Sequence, residues 1–418
     1  RGDAPAEGQL DVSVVNIEEN AGREPVNYVL PPGVTRITDP GQSQITQLNE
    51  QSMSLKVTGL HAGDARGVYR NTSHDLRNYK RMQMWVHAES LIDDATNLKS
   101  GELSLFIRLG TDIKNNYYEY EIPLTLTPHI TSANKYHDTG EDQYKVWPLS
   151  NRLDFALQNL VNLKKERNME RHQANSTVSF TTLYTGRDPD NEQNRMAVMG
   201  NPSLSDVRVM LIGVRNNTSS TRDGIVWVNE LKVTDFDESG GWAAKANVNL
   251  GVSDIATLNF EVHKETAGFG GVDQPLNARR MDDYEQYNFA VQADLGRFIP
   301  EKAKLKAPIY YSISKEKTSP KYNPLDQDVL LKDALDEAAT KQERDSISNY
   351  SVDRSTVQSF SISGLRFDIQ SANPMPWDPA NFTFNFSFNK RNEMNPTTEY
   401  ENTNDYRGSF QYSWTPYV

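Results

Sequence analysis

The chain has 418 residues, enough for two or three ordinary domains and too many for one continuous core. It contains no cysteine, which excludes disulfide frameworks, cysteine-ligated zinc, thiol nucleophiles and iron–sulfur clusters. Its 44 Lys and Arg against 56 Asp and Glu give a net charge of −12, so non-specific attraction to nucleic acid or anionic lipid is not expected, and no basic stripe stands out.

Uninterrupted apolar runs fall far short of the roughly 18 to 20 residues of a membrane helix, but a barrel strand crosses in about 9 to 11 and turns only alternate side chains to lipid. The aromatic supply, 19 Tyr, 15 Phe and 6 Trp, suits either sandwich cores or barrel girdles. Arg1 to Gln9 lack the charged start, apolar stretch and cleavage site of a signal peptide, so the sequence reads as a mature or internal segment.

In chain order, residues 1–44 carry Pro5, Pro25, Pro31, Pro32 and Pro40 with few apolar pairs and read as an extended lead-in. Residues 45–238 change to short apolar segments between polar turns, among them Met82 to Val86, Leu103 to Leu109, Tyr117 to Ile122, Val207 to Ile212 and Ile225 to Val228. Period-2 alternation of this kind predicts packed antiparallel sheets. One short helix is expected near 152–166, where Leu153, Ala156, Leu157, Leu160 and Leu163 recur at helical spacing.

From Gly240 the strands lengthen and alternate cleanly. Ala246, Val248 and Leu250, then Phe260, Phe289 and Val291, Ile309 and Tyr311, the row Phe382, Phe384, Phe386, Phe388, and finally Phe410, Tyr412 and Trp414 form the apolar sets and are the candidate lipid-facing residues. A further strand is expected around Phe360 and Ile362, with a bulge where the phase slips at Gly364-Leu365. Connections alternate too: Ser253-Asp254 is tight, about 20 residues precede Tyr284, Pro300-Glu301-Lys302 is short, and about 40 separate Ile313 from Phe360. This predicts about seven transmembrane barrel strands over 239–418 with long extracellular loops, and Val329, Leu330, Ala334, Leu335 and Ala338 suggest a small helix in the longest loop. The strand from Trp242 starts on the long-loop side, which puts the sandwich outside the cell. Seven strands do not close an even-numbered barrel, so the sequence reads as part of a larger one.

The motifs of chemistry are sparse. The seven histidines form no HExxH or other ligand spacing and read as scattered surface residues. No phosphate loop, GxGxxG or GxSxG occurs, so no enzyme activity and no cofactor are expected. Asp188, Asp190 and Glu192 alternate like the start of a calcium loop, yet Gln193 stands where the loop needs Gly, making this a weak metal candidate. Trp85, Trp147 and Trp227 lie in apolar strand contexts and read as core rather than as a sugar platform, although Gly224 to Leu231 resembles the last strand of jelly-roll carbohydrate-binding domains.

Longer strings go further. Gln47 to Ser52, Gly63 to Arg66, Asp75 to Arg81, Asn115 to Tyr120, Gly200 to Leu204, Trp227 to Leu231 leading into Thr234 to Glu238, Ala267 to Gly270, Thr318 to Asp326 and Asn395 to Tyr400 resemble the SprA/Sov family, the outer-membrane translocon of the type IX secretion system of Bacteroidetes. The resemblance covers most of the chain from about Gln47. It implies a segment of a very large barrel, the class in which 36 strands is the largest known. It also implies export of folded cargo proteins bearing a C-terminal signal, a docked barrel protein of the PorV type, a periplasmic plug protein, a prolyl isomerase, and energy from inner-membrane motors, in keeping with the missing phosphate loop. The expected fold is therefore all-β, a jelly-roll-like β-sandwich followed by transmembrane barrel strands, in the outer membrane among membrane lipid and lipopolysaccharide. The rival is an outer-membrane-anchored glycan-binding or adhesive surface protein.

Overall fold

The computed structural model describes residues 8–37, 47–131, 134–173, 175–275, 278–338 and 340–415. The fold is all-β and divides into two compact units, one ending at Asp237 and one beginning at Glu238. Among the described residues no helix is long and apolar enough to cross a membrane.

The first unit contains β1 (Gln9–Asn16), β2 (Gln51–Leu60), β3 (Ala65–His74), β4 (Tyr79–Glu89), β5 (Leu103–Gly110), β6 (Tyr117–Pro123), β7 (Leu153–Ala156), β8 (Tyr184–Asp188), β9 (Asn191–Met199), β10 (Val207–Asn216) and β11 (Arg222–Phe236), with helices α1 (Ile17–Asn20), α2 (Gly140–Val146) and α3 (Leu157–Arg171). They form two antiparallel sheets in a sandwich-like arrangement, β1-β2-β11-β4-β7 and β3-β10-β5-β6-β9-β8. Alternate residues of each sheet face the other: Leu55, Val226, Ala88 and Phe155 from the first, Ile107, Tyr120 and Val214 from the second, all buried. Tyr120 stacks on Phe155 at 3.9 Å between ring centroids, joining β6 to β7 across the interior. β11 needs a bulge to continue past this core, and its register slips between Asn229 and Lys232, where Glu230 takes φ +55°.

The extended lead-in is corrected here. β1 pairs with β2 from Gln9 opposite Thr58 to Asn16 opposite Gln51, and Val26, Tyr28, Val29 and Leu30 are buried against Trp85, Trp147 and Trp227. The outward face of the first sheet presents Ile225 and Trp227, and the Val26 to Leu30 segment is the apolar cover it requires. Proline density marks an absence of backbone donors, not an absence of packing. Residues 1–7 and 38–44 of the expected lead-in lie outside the described residues. The helix is also displaced: Leu153–Ala156 is strand β7, paired with Met84 to Arg81 of β4, and α3 starts only at Leu157.

The second unit holds β12 (Ala243–Val252), β13 (Ala256–Glu265), β14 (Asp282–Asp294), β15 (Leu305–Lys306), β16 (Pro308–Pro320), β17 (Tyr322–Asn323), β18 (Asp326–Leu330), α4 (Leu331–Asp336), α5 (Lys341–Ser351), β19 (Asp353–Phe367), β20 (Phe382–Asn395) and β21 (Thr398–Tyr412). One antiparallel sheet runs β12-β13-β14-β16-β19-β20-β21, with β15 paired to β19. In the longest connection Val329 and Leu330 belong to β18 and the helix begins at Leu331, with a second helix, α5, after it. The expected contrast of loop lengths is only partly kept. Residues 295–307 form two 3-10 turns and β15, and the β20–β21 hairpin closes tightly on the end of the sheet where the long connections lie.

Candidate functional site

Residues directly opposite each other in an antiparallel ladder share a face. Following the register across the second unit, Val248 lies opposite Phe260, Phe260 opposite Phe289, and Phe289 opposite Ile313. A parallel row runs from Val291 to Tyr311 to Phe360 to Phe388 to Tyr406, and Ile309 leads through Ile362 to Phe386. Ala246 faces Val262, Leu250 faces Leu258, Phe384 faces Phe410 and Phe382 faces Tyr412. Fourteen of the fifteen candidate residues thus fall on one face of one sheet. Trp414 does not, because β21 ends at Tyr412 and no ladder pair places it.

No residue of these seven strands is buried. Val248 keeps 48 % of its surface, Phe384 44 % and Phe410 65 %, whereas Leu55, Ile107, Tyr120 and Val226 in the first unit are buried. Aromatic pairs run laterally, Phe382 with Phe410 at 5.7 Å and Phe388 with Tyr406 at 4.8 Å. The opposite face is polar and hydrogen-bonded across strands. The Ser314 hydroxyl donates to Asn288 Oδ1 at 2.7 Å, Asn385 Nδ2 to Ser409 Oγ at 3.0 Å and Gln286 Nε2 to Glu316 Oε1 at 2.9 Å. A sheet with one apolar and one polar face, neither buried among the described residues, pairs the backbone of its inner strands and leaves an apolar surface for a solvent other than water.

The first unit offers less. Asp188 and Asn191 close the β8–β9 hairpin, and the buried Asp188 carboxylate accepts from Tyr120 Oη at 2.5 Å, Asn159 Nδ2 at 2.9 Å and the Asp190 amide at 3.0 Å. Burial, and then the hydrogen bond to Asp188, push the Tyr120 phenol far up, so it stays a donor. Glu192 is exposed, and among the described residues no three His, Asp or Glu side chains converge to hold a metal. Trp85, Trp147 and Trp227 are core, as their strand contexts imply. His87 corrects the surface reading of the histidines: it is fully buried, stacked on Trp227 at 3.9 Å, with Nδ1 2.8 Å from the Val146 carbonyl.

Two features escape a linear reading. On the outward face of the second sheet, Glu119 accepts from Arg108 Nε at 2.7 Å, Arg195 Nη2 at 3.1 Å and Arg215 Nη2 at 3.0 Å, while Glu121 is held by Arg195, Arg215 and the Ser104 hydroxyl. Five charges from four strands meet there, and only strand pairing brings them together. Between the sheets near β3, a groove of about 860 Å³ is lined by Val12, Met53, Val68, Tyr69, Met82 and Met210 among others.

Comparison with known families matches residues 2–335 to SprA_N, described as a motility related/secretion protein. The chain belongs to this family. The SprA_N match takes in all but the first residue of the first unit and continues through β12, β13, β14 and β16 into α4, so the sandwich and the first four strands of the two-faced sheet fall within one family unit. β19, β20 and β21 follow the matched residues. A comparison with curated proteins finds no match. SprA_N membership ties the chain to motility or secretion and to a membrane-associated place of work.

Proposed function

We propose that the chain is part of an outer-membrane protein-conducting translocon, which exports folded cargo proteins carrying a C-terminal signal and performs no chemistry on them. In this reading the second unit is a segment of a very large transmembrane barrel, and the first is a jelly-roll-like cap on the extracellular side. The observation that carries it is the register: seven strands put Phe260, Phe289, Tyr311 and Phe386 on one uncovered face and amides and hydroxyls on the other. Lipid stabilises such a face, and a lumen rich in Asn, Ser and Gln suits passage because it offers cargo little apolar surface to adhere to. The barrel partner of the PorV type, the plug, the prolyl isomerase and lipopolysaccharide belong to the same proposal.

The test uses photo-crosslinking residues in the full-length protein during export. Positions Asn288, Ser314 and Asn385 are expected to capture cargo bearing the C-terminal signal, and Phe289 is not. Cargo captured nowhere on the polar face would overturn the conduit reading. Orientation is read separately by an impermeant thiol reagent on whole cells: a cysteine placed within 188–194 should label, and labelling only at Pro300 to Lys302 would reverse the sidedness.

A further inference from the structure

The apolar face of the second unit ends, toward the long connections, in charge. Lys264 continues the parity of Phe260 and Val262, Lys315 and Lys317 continue that of Tyr311 and Ile313, and Lys390 follows Phe388. Arg354 lies opposite both Lys317 and Met394, and Lys390 opposite Gln358, which itself faces Ile313. These five cations therefore sit on one face, on four of five adjoining strands, along a stepped upper border of the apolar band, with Lys315 one pair and Lys390 two pairs below the row of Lys264, Lys317 and Arg354. The acid in the row of Lys264, Lys317 and Arg354 is Glu285, which is taken by Lys264 Nζ at 2.6 Å, and Asp283 lies one pair further on the same face. Lys315, Lys317 and Lys390 form no ion pair among the described residues. The guanidinium of Arg354 bonds only to neutral groups, Ser348 Oγ at 2.8 Å, Asn349 Oδ1 at 3.3 Å and, at 3.9 Å, the Met394 sulfur.

The other face has the opposite sign at the same height. Glu316 is flanked through Ser355 by Glu393 and then Glu401, with Glu265 and Asp353 one row above, against Lys245 and Arg391. In a chain of net charge −12, a sheet that sorts its bases to the apolar side and its acids to the polar side has charges placed by face, not scattered for solubility. The height fits as well. Phe382 to Phe388 spans roughly 20 Å of strand, short of the ~25 Å apolar band of outer-membrane barrels. Lysine stems that continue the band can cover the difference and carry their ammonium groups to the headgroup level.

We propose that Lys264, Lys315, Lys317, Arg354 and Lys390 form a cationic rim that binds the phosphates of membrane lipid headgroups in the leaflet nearest the long connections. The proposal rests on the membrane reading above and goes beyond it, in naming a chemical preference and the residues that hold it. The rim is invisible to a linear scan because each strand contributes only one or two of its charges.

The test is local. This chain has no cysteine, so Gln358→Cys, between Ile313 and Lys390 in the register, carries an environment-sensitive bimane in the full-length protein reconstituted into phosphatidylcholine bilayers. Phosphatidylglycerol spin-labelled near the top of its acyl chain should quench it several-fold more than identically labelled phosphatidylcholine. Salt and the triple change Lys315→Gln, Lys317→Gln, Lys390→Gln should bring the ratio to about one, with up to about fivefold lost per charge. Glu316→Gln on the other face should leave it unchanged. Should the triple variant fail to insert, Lys317→Gln and Lys390→Gln alone are each expected to lower the ratio, and no change in either would defeat the proposal. A ratio near one in the parent, with both lipids quenching, overturns the rim and spares the membrane reading. Quenching by neither lipid overturns both. Loss of the preference on adding millimolar inorganic phosphate would make this a free-phosphate site and defeat the lipid assignment.

Discussion

Leu365 lies opposite Phe384, although it stands three residues beyond Ile362 while Phe384 stands two before Phe386. The extra residue is absorbed by a bulge in which Gly364 takes φ +78° and its amide donates to Asn385 Oδ1 at 2.6 Å. Without this device the parity of β19 would invert below Ile362, and Leu365 would turn to the polar side. The apolar face is continuous because one glycine can adopt a left-handed conformation.

Gly364→Ala is therefore expected to destabilise the sheet by about 1–2 kcal/mol, since a Cβ in the left-handed region clashes with its own backbone. No neighbouring atom blocks the new methyl group, so the penalty is conformational and not steric crowding. Urea unfolding of the reconstituted full-length protein measures it, and the adjacent Ser363→Ala should be near neutral.

Phe386 and Ser387 are consecutive and face opposite ways: Phe386 pairs with Ile362 and Gly408, Ser387 with Ser361 and Arg407. Arginine at Phe386 is expected to cost about 2–4 kcal/mol in a bilayer, and arginine at Ser387 close to nothing. The comparison is made by equilibrium unfolding from vesicles. Equal penalties at the two positions would mean that the two faces meet the same surroundings.

Glu121 gives the sandwich an acid limit. Burial raises its pKa, but the Ser104 hydroxyl, Arg215 and Arg195 outweigh burial and hold the carboxyl below its ordinary 4.5. A carboxylate with a depressed folded pKa contributes stability that is fully present above the unfolded value and is lost as pH falls through the folded one. Stability of the first unit, followed by tryptophan emission in urea, should thus decline below about pH 4.5. Glu121→Gln should flatten that decline and cost about 1–3 kcal/mol at neutral pH, because Arg195 and Arg215 keep Glu119 as a partner.

The strands of the second unit were readable because alternation repeats within each of them, and even the Gly364 slip shows as a break in parity. The parity of Lys315 after Ile309, Tyr311 and Ile313 was equally available, but its meaning depends on Lys264 and Lys390, which only strand pairing sets on the same face. The same holds for Glu119 with Arg195 and Arg215. The acidic loop shows the reverse failure. Alternating carboxylates at Asp188, Asp190 and Glu192 suggest a cation, yet a hairpin turn aims Asp188 inward to Tyr120. Spacing alone does not say which way a turn points its side chains.

The segment from Arg23 to Leu30 is where composition misleads most, and its attachment can be tested directly. Tyr28 is buried between Trp147 and Trp227, with ring centroids 6.1 and 5.8 Å away, and its hydroxyl lies 2.9 Å from Ser52 Oγ. Burial holds the Tyr28 phenol up at about 12, so it remains neutral and bonded through the physiological range. Trp147 fixes the same segment from the other side, its Nε1 donating to the Val29 carbonyl at 2.9 Å, and Arg23 reaches the fully buried Glu89 at 2.5 Å. Trp147→Ala removes a buried ring and a bond to the strap together, a change expected to cost about 3–5 kcal/mol. Because Trp147 gives the strap both a ring contact and a hydrogen bond, its removal should let local release precede global unfolding. Limited trypsin digestion should then cut after Arg23 in the variant under conditions that leave the parent intact there. If Arg23 stays protected in Trp147→Ala, the remaining contacts, Arg23 with Glu89, Asn27 with Tyr136 and Leu30 with Asp138, suffice to hold the strap, and Trp147 is dispensable for its attachment.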